Sequence, residues 1–440
     1  MIKLNLHQKI PINFMKKHRA ILLFHSTGSG KTLTALYSVY QFTYPIIIIG
    51  PKNSKSIFID NIIKANLDGN RISFFTYTKI KKIIPQNLDI FIGKSIIIDE
   101  AHMLRSETMS NLYMISALEG ASKIILLTAT PIINYINDLA VLINIIKGED
   151  VLPTDRILFE QMFYDDEKKQ ITNGDILKDK LKNTISYYDH GSNISYPDYK
   201  YHYINVVMSY EQIQEYIYYI KKIIYESGDV VDQSGVFMID YASLPSKKKN
   251  MFLNVTRQLS NTAKGEDDSP KINAIIKKIK NGPYPIIVYS NFLAAGIYKI
   301  ATILEKLRIS YAVISGMTSV DKIDYIVNNY NNNKYKILLI SSAGSESLNL
   351  KNTRQIIIME PHWNESKIDQ VIGRAIRYES HIGLNSAERF VDIYRYCSIF
   401  PKHIKNMSAD DFLISLSKNK LDIQNKYLDI IRKSSIENNK

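Results

Sequence analysis

One cysteine, Cys397, is all that 440 residues contain. A lone thiol excludes an internal disulfide and makes a reducing compartment the expected setting. With only nine scattered histidines beside it, a cysteine-rich zinc module is excluded too. Long apolar runs are missing: Ile46–Ile49 and Ile96–Ile98 fall far short of the roughly 20 residues a membrane helix needs. The opening MIKLNLHQKIPIN has no continuous apolar core of the signal-peptide kind. No membrane partner is therefore expected. Acidic residues are outnumbered, with 43 Asp and Glu against 56 Lys and Arg, a formal charge of +13. That excess suits a polyanion such as nucleic acid. It equally suits a solubilising surface from an AT-rich genome, which would also supply the abundant Ile, Asn, Lys and Tyr. Charge alone leaves the two even.

What is present is globular: 45% hydrophobic and 22% charged residues, in a length that predicts two or three domains. Two stretches share a pattern of short β-branched runs, each closed by a polar loop and followed by an amphipathic segment. In the first the predicted strands are Ala20–Phe24, Pro45–Ile49, Ile72–Phe75, Ser95–Ile98 and Lys123–Leu127, with helices over Lys31–Phe42 and Lys55–Ala65. In the second they are Pro285–Tyr289, Tyr311–Ile314, Lys336–Ile340, Gln355–Met359 and Phe390–Tyr396, with helices over Phe292–Leu307, Ser319–Tyr330 and Glu365–Arg377. Buried strands alternating with helices predict an α/β protein with two doubly wound parallel sheets. Between them lies a mainly helical insert, with Tyr187–Tyr203 read as an extended connection, and a helical tail covers Ala409–Ser434. The expected division is residues 1–149, 150–268, 269–400 and 401–440.

Ser26, Thr27, Gly28, Ser29, Gly30, Lys31 and Thr32 follow an apolar strand and open a helix. Glycines let backbone N–H groups wrap phosphates, and a helix N-terminus adds a favourable dipole. Lys31 is expected on the β- and γ-phosphates and the Thr32 hydroxyl on Mg²⁺. His25 stands where a P-loop usually has its first glycine. Asp99-Glu-Ala-His102 ends the run Ile96–Ile98, so an acidic pair lies at the carboxyl edge of a buried strand, where doubly wound sheets bind ligands. Asp99 is expected to hold Mg²⁺ and Glu100 to polarise the attacking water. Alone, such a pair is more often a solvated turn. Thr128-Ala-Thr-Pro131 ends another strand, with hydroxyls that could bond the acidic box.

This order of boxes resembles the superfamily 2 helicases and translocases, in which two RecA-like lobes clamp ATP in a cleft and nucleic acid across the top. In the second half, Ser341–Leu350, which contains Glu346, and Gln370-Val-Ile-Gly-Arg-Ala-Ile-Arg377 match the family's later boxes. Arg374 and Arg377, three apart and predicted to share a helical face, are then arginine-finger candidates, and Glu346 and Gln370 are further nucleotide-site candidates. Leu6-His-Gln8 followed by Ile12–Met15 resembles the glutamine box that reads adenine, which implies ATP. Gly344–Leu350, Met359-Glu-Pro-His-Trp-Asn364 and Gln370–Arg377 are similar to Swi/Snf-type translocases, which track along duplex DNA. Leu22–Thr32, Lys182–Tyr188 with Tyr196-Pro197, Arg377–His381 with Glu388-Arg389, and the tail Ser408–Ile436 resemble the large-DNA-virus branch. That branch holds the poxvirus early transcription factor small subunit and nucleoside triphosphate phosphohydrolase I.

The resemblance implies a nucleic-acid-dependent ATPase using ATP and Mg²⁺, with duplex DNA favoured and RNA the alternative. It further implies an RNA polymerase or transcription-factor partner, and residence in host cytoplasm or virion (nucleocytoplasmic if the chain is not viral). Pro51, Lys52, Thr76, Tyr77, Ser290, Asn291 and Ser341, at strand ends, are the candidate phosphate contacts, since hydroxyls and amides there position a backbone without reading sequence. Each would also serve as a turn cap. Lys247–Lys249 is a further basic candidate. Two competing readings stand: an RNA helicase or transcription-termination ATPase, and a non-enzymatic DNA-binding transcription-factor subunit. The intact set Lys31, Thr32, Asp99, Glu100, Arg374 and Arg377 counts against the second.

Overall fold

Short isoleucine- and leucine-rich runs with both faces apolar can be covered only if helices lie on each side of a parallel sheet, and the chain does this twice. The computed structural model describes residues 4–52, 54–105, 108–132, 135–165, 167–189, 195–227, 246–263, 265, 269–342, 348–362, 365–404 and 406–438. It divides into two compact units, Met1–Gly191 with Lys420–Lys440, and Ser192–Asn419.

The first unit runs α1 (Leu6–Phe14), β1 (Ala20–His25), α2 (Lys31–Tyr40), β2 (Ile46–Gly50), α3 (Ser54–Lys64), β3 (Ile72–Thr76), α4 (Tyr77–Ile83), β4 (Ser95–Ile98), α5 (Met109–Leu118), β5 (Lys123–Thr128) and α6 (Asp138–Lys147). It continues with α7 (Arg156–Phe163), a small hairpin of β6 (Tyr164–Asp165) and β7 (Gln170–Ile171), α8 (Gly174–Leu181) and β8 (Ile185–Tyr188). Six strands form a parallel sheet in the order β3-β2-β4-β5-β1-β8. Alternation along each strand sends Leu22, Ile49, Ile96 and Leu126 to one core, and Ile21, Leu23, Ile48, Ile97 and Leu127 to the other.

The second unit begins with β9 (Asp198–Val207), α9 (Tyr210–Ser227), α10 (Ser246–Asn261) and α11 (Pro270–Lys280). There follow β10 (Ile286–Ser290), α12 (Tyr298–Lys306), β11 (Tyr311–Ile314), α13 (Val320–Asn331), β12 (Ile337–Ser341), β13 (Gln355–Ile358), α14 (Glu365–Ala375), β14 (Phe390–Ile399) and α15 (Ala409–Ser434). Its sheet is also six-stranded and parallel, ordered β11-β12-β10-β13-β14-β9. Tyr427 and Ile431, late in α15, belong to the core of the first unit.

Among its described residues the stretch 150–268 is mainly helical, and it also supplies an edge strand to each sheet. β8 pairs with β1 and β9 with β14 over its full length. Two helices differ from the sequence expectation. A π-turn at Leu293–Ile297 precedes α12; Gly296 in it packs so tightly on Ser290 that any Cβ would collide with that hydroxyl. And α14 stops at Ala375, because the Arg374 carbonyl accepts from Leu350 N (3.2 Å) and Arg377 closes a turn with Ser380. Arg377 thus lies beyond the helix rather than on one face with Arg374.

Candidate active site

β1 delivers His25 to the carboxyl edge of the first sheet and α2 departs at Lys31, so Ser26–Gly30 must reverse the chain in five residues. Gly28 and Gly30 do so at φ of 77° and 83°, where a side chain is strained. A Cβ on Gly30 would also lie 2.6 Å from the Gln8 Nε2. Lys31 Nζ donates to the carbonyls of His25 (2.6 Å) and Ser26 (3.0 Å), so the ammonium stays within the loop. The Ser29 hydroxyl is buried without a hydrogen-bond partner among the described residues, an orphan of the kind a bound anion satisfies. Gln8, buried in the first turn of α1, accepts from Asn5 N at 2.9 Å and brings its Nε2 to 3.5 Å from Gly30 O. Thus α1 abuts the phosphate loop. His7 beside it contacts Ser29 O (3.0 Å) and stacks on Tyr188, ring centroids 3.6 Å apart.

The acidic box emerges from β4, separated from β1 by one strand, β5. Asp99 N extends the ladder by donating to Ile49 O at 2.8 Å, and Glu100 then turns the chain at φ 52°. The Tyr77 hydroxyl braces this turn, shared between the carbonyls of Asp99 (2.8 Å) and Glu100 (3.1 Å). Burial, then the neighbouring Glu100 charge, raises the Asp99 pKa to about 6, against a hydrogen bond from Ser54 and the attraction of Lys31. Lys31 and Asp99 both lie at the carboxyl edge of the first sheet. His102 Nδ1 lies 3.4 Å from Glu100 Oε2 and 3.1 Å from Thr128 Oγ1. Burial, then the Arg105 charge, lowers the His102 pKa to about 4, so the ring is neutral near pH 7. It bridges the acidic box to the Thr128–Pro131 loop by hydrogen bonding rather than by charge.

In the second unit Gln370 and Arg374 lie on α14. Arg377 Nη1 donates to Leu348 O at 3.2 Å. Burial, then the like charge of Arg374, lowers the Arg377 pKa to about 10, so it stays charged at neutral pH. Glu346 lies outside the described residues, as do the side chains of Lys247–Lys249.

The candidate phosphate contacts fare unequally. Lys52 alone of the seven is exposed, with Pro51 beside it at the end of β2. Thr76 caps α4, accepting from Lys79 N at 3.3 Å. Tyr77 is buried and its hydroxyl is bonded to the acidic turn. Ser290 and Ser341 are buried as well. Ser290 donates to Glu360, and Asn291 gives Glu360 both its backbone N–H (2.5 Å) and its side-chain amide (3.1 Å). Reading the sequence alone missed Ser54 and the bracing role of Tyr77, since nothing local marks a serine or tyrosine on other elements as neighbours of Asp99.

A phosphate loop opening a helix, with a carboxylate pair two strands away at the same sheet edge, defines a P-loop nucleoside triphosphatase. Residues 46–267 match the SNF2-related domain, and residues 270–379 the helicase conserved C-terminal domain. The chain is 61% identical over 433 residues to "Putative ATP-dependent RNA helicase L538" of Acanthamoeba polyphaga mimivirus, covering 98% of this chain and 97% of that protein. It is 25% identical to "Nucleoside triphosphatase I" of Melanoplus sanguinipes entomopoxvirus, over 95% of this chain and 76% of the relative. A "Termination factor NPH-I homolog" of African swine fever virus is 24% identical, over 87% of this chain and 69% of the relative. The chain belongs to the SNF2-related helicase family.

Proposed function

We propose that this nucleic-acid-dependent ATPase hydrolyses ATP to move along duplex DNA in viral transcription. The observation that carries the reading is that the phosphate loop after β1 and the acidic pair after β4 leave the same carboxyl edge of one parallel sheet, with only β5 between the two strands. In it the amides of Ser26–Gly30 and the Lys31 ammonium take the β- and γ-phosphates, and Glu100 orients the attacking water. Gln8 serves the adenine side. Gln370 and Glu346 complete the nucleotide contacts, and Arg374 and Arg377 stabilise charge on the transferred phosphoryl group.

The oxygen donors of Thr32 and Asp99 fit Mg²⁺, which when bound neutralises phosphate charge. Among the described residues no group of three or more His, Cys, Asp or Glu could hold a metal alone. Lys52 and Pro51 are the phosphate-tracking candidates that remain, with Thr76 and Asn291 secondary. No described helix is long and apolar enough to cross a membrane. Viral relatives, one of them named as a termination factor, support an RNA polymerase or transcription-factor partner and a place in host cytoplasm or virion.

The test is ATP hydrolysis with and without duplex DNA, single-stranded DNA and RNA, paired with triplex displacement and strand separation. Stimulation by duplex DNA, displacement of a third strand and no separation of the duplex are expected. Affinity should fall steeply with salt, through counterion release. The relative named as an RNA helicase supports the second reading; stimulation by RNA alone, with unwinding, would establish it. Nucleic-acid binding without hydrolysis under any condition would leave a non-enzymatic factor.

A further inference from the structure

His25 opens the phosphate loop in place of a glycine, and its side chain leads to β8. The ring is fully buried. Burial, then the charges of Lys31 and His7, holds its pKa well below the usual histidine value, so it is neutral. Its Nε2 lies 2.8 Å from Ser186 Oγ on β8. That hydroxyl in turn donates to Glu437 Oε1, while Tyr187 N donates to Glu437 Oε2 at 2.9 Å. A carboxylate only accepts. Burial raises the Glu437 pKa against these hydrogen bonds; in its ionised form Glu437 takes the Ser186 proton, and Ser186 then accepts from a His25 protonated at Nε2. In that form the relay has a single polarity, from loop to tail.

The backbone repeats the connection. Ser26 N donates to Tyr188 O and Ile436 N to Ile185 O, each at 2.9 Å. β8 is thus held by the phosphate loop on one side and by residues 436–437 on the other. The residue gripped through this relay also bears the carbonyl that receives Lys31 Nζ at 2.6 Å. A shift of His25 would move the resting place of the phosphate-binding ammonium.

We propose that Ser186 and Glu437 are positioning residues of the nucleotide site: through His25 they hold the entrance of the phosphate loop in its nucleotide-receiving form. The last residues of the chain then belong to the ATP-binding machinery although they never touch ATP. This rests on the reading of Ser26–Thr32 as a phosphate loop.

The experiment uses full-length Ser186→Ala, Glu437→Ala and the double variant, with Lys31→Ala alongside. ATP affinity, and KM and kcat at saturating nucleic acid, are measured for each. Each single variant should raise the ATP Kd and KM by about 5- to 10-fold, the worth of one hydrogen bond, with kcat within about two-fold. The double variant should be no worse than the poorer single, since both cut one relay. Unchanged KM in both, even with lowered melting temperature, would overturn the proposal, and so would fully additive effects. Should Ser186→Ala not fold, Glu437→Gln reads the same link, because its amide satisfies only one of the two donors; an unchanged KM there also overturns it. If Lys31→Ala keeps normal turnover, the phosphate-loop reading has failed instead.

Discussion

The two sheets are built alike, each with six parallel strands and isoleucine on both faces, yet they treat charge at their strand ends in opposite ways. In the first unit Asp99 is held beside Glu100 with its pKa raised to about 6, and the Ser29 hydroxyl is left orphaned. In the second, Glu360 is fully buried and accepts from Ser290, Asn291 and Asn261, the last at 2.8 Å. Lys271 nearby is equally buried, 2.8 Å from Asp410 and 3.1 Å from Asn261 Oδ1, and Asp410 also accepts from Ser398 N. A carboxylate satisfied by its own protein locks a fold, whereas one left in repulsion is poised for a ligand. The two units thus differ in how the carboxylates at these strand ends are satisfied.

Substitutions can break that contrast. The largest effect is expected at Lys31→Ala, which should abolish hydrolysis and weaken ATP binding while leaving the melting temperature near wild type; near-normal turnover would remove the phosphate-loop assignment. Next, Glu100→Gln should cut turnover by about 10²- to 10⁴-fold, the usual worth of a general base, with ATP and nucleic acid still bound in equilibrium titrations. Normal hydrolysis in that variant would transfer the role to another carboxylate.

Arg377→Ala should lower nucleic-acid-stimulated turnover by about 10³-fold while ATP affinity holds. Arg377→Lys should rescue poorly, because a point charge does not replace the planar fork. Equal small losses of basal and stimulated rates would make Arg377 a structural anchor for Leu348. In the second unit, Lys271→Met should act on stability alone. Leaving Asp410 buried and unpaired costs about 3–5 kcal/mol, visible in denaturant midpoints, with KM for ATP unchanged. A shifted KM would mean that this network is not merely structural.

The smallest effect runs the other way. Raised from 3.8 to about 6 in the fold, Asp99 costs stability once ionised, so Asp99→Asn should melt higher above pH 6 without nucleotide or Mg²⁺. The gain, on the order of 1–3 kcal/mol, should shrink as pH falls from about 6 toward 4, where wild-type Asp99 becomes protonated. No gain at pH 7.5 would remove Asp99 from the strained side of the comparison.

Much of this was legible without a fold. Strand runs such as Ser95–Ile98 and Tyr311–Ile314 were read to the residue, because both faces of each are apolar and turn residues bound them. The phosphate loop and acidic box were legible because their function depends on local backbone: glycines at positive φ and a helix start. The edge strands β8 and β9 were less so. No residue of β9 is buried and its tyrosines alternate with polar residues, so Tyr187–Tyr203 read as connection. Arg377 was misplaced because the end of α14 depends on a carbonyl taken by Leu350, 24 residues upstream.

The sequence by itself determined two parallel α/β sheets, the phosphate-binding turn and the strand end that carries Asp99 and Glu100. Each of these is written in residues adjacent along the chain, where steric and hydrophobic periodicity act directly. Only the tertiary structure decided that Tyr77 braces the acidic turn, that Ser290 and Asn291 belong to Glu360, and that Glu437 reaches the phosphate loop through Ser186. Hydrogen bonds reach about 3 Å, while the partners here lie 22, 70, 161 and 251 residues apart. Which distant groups meet is decided by how the sheets and helices pack.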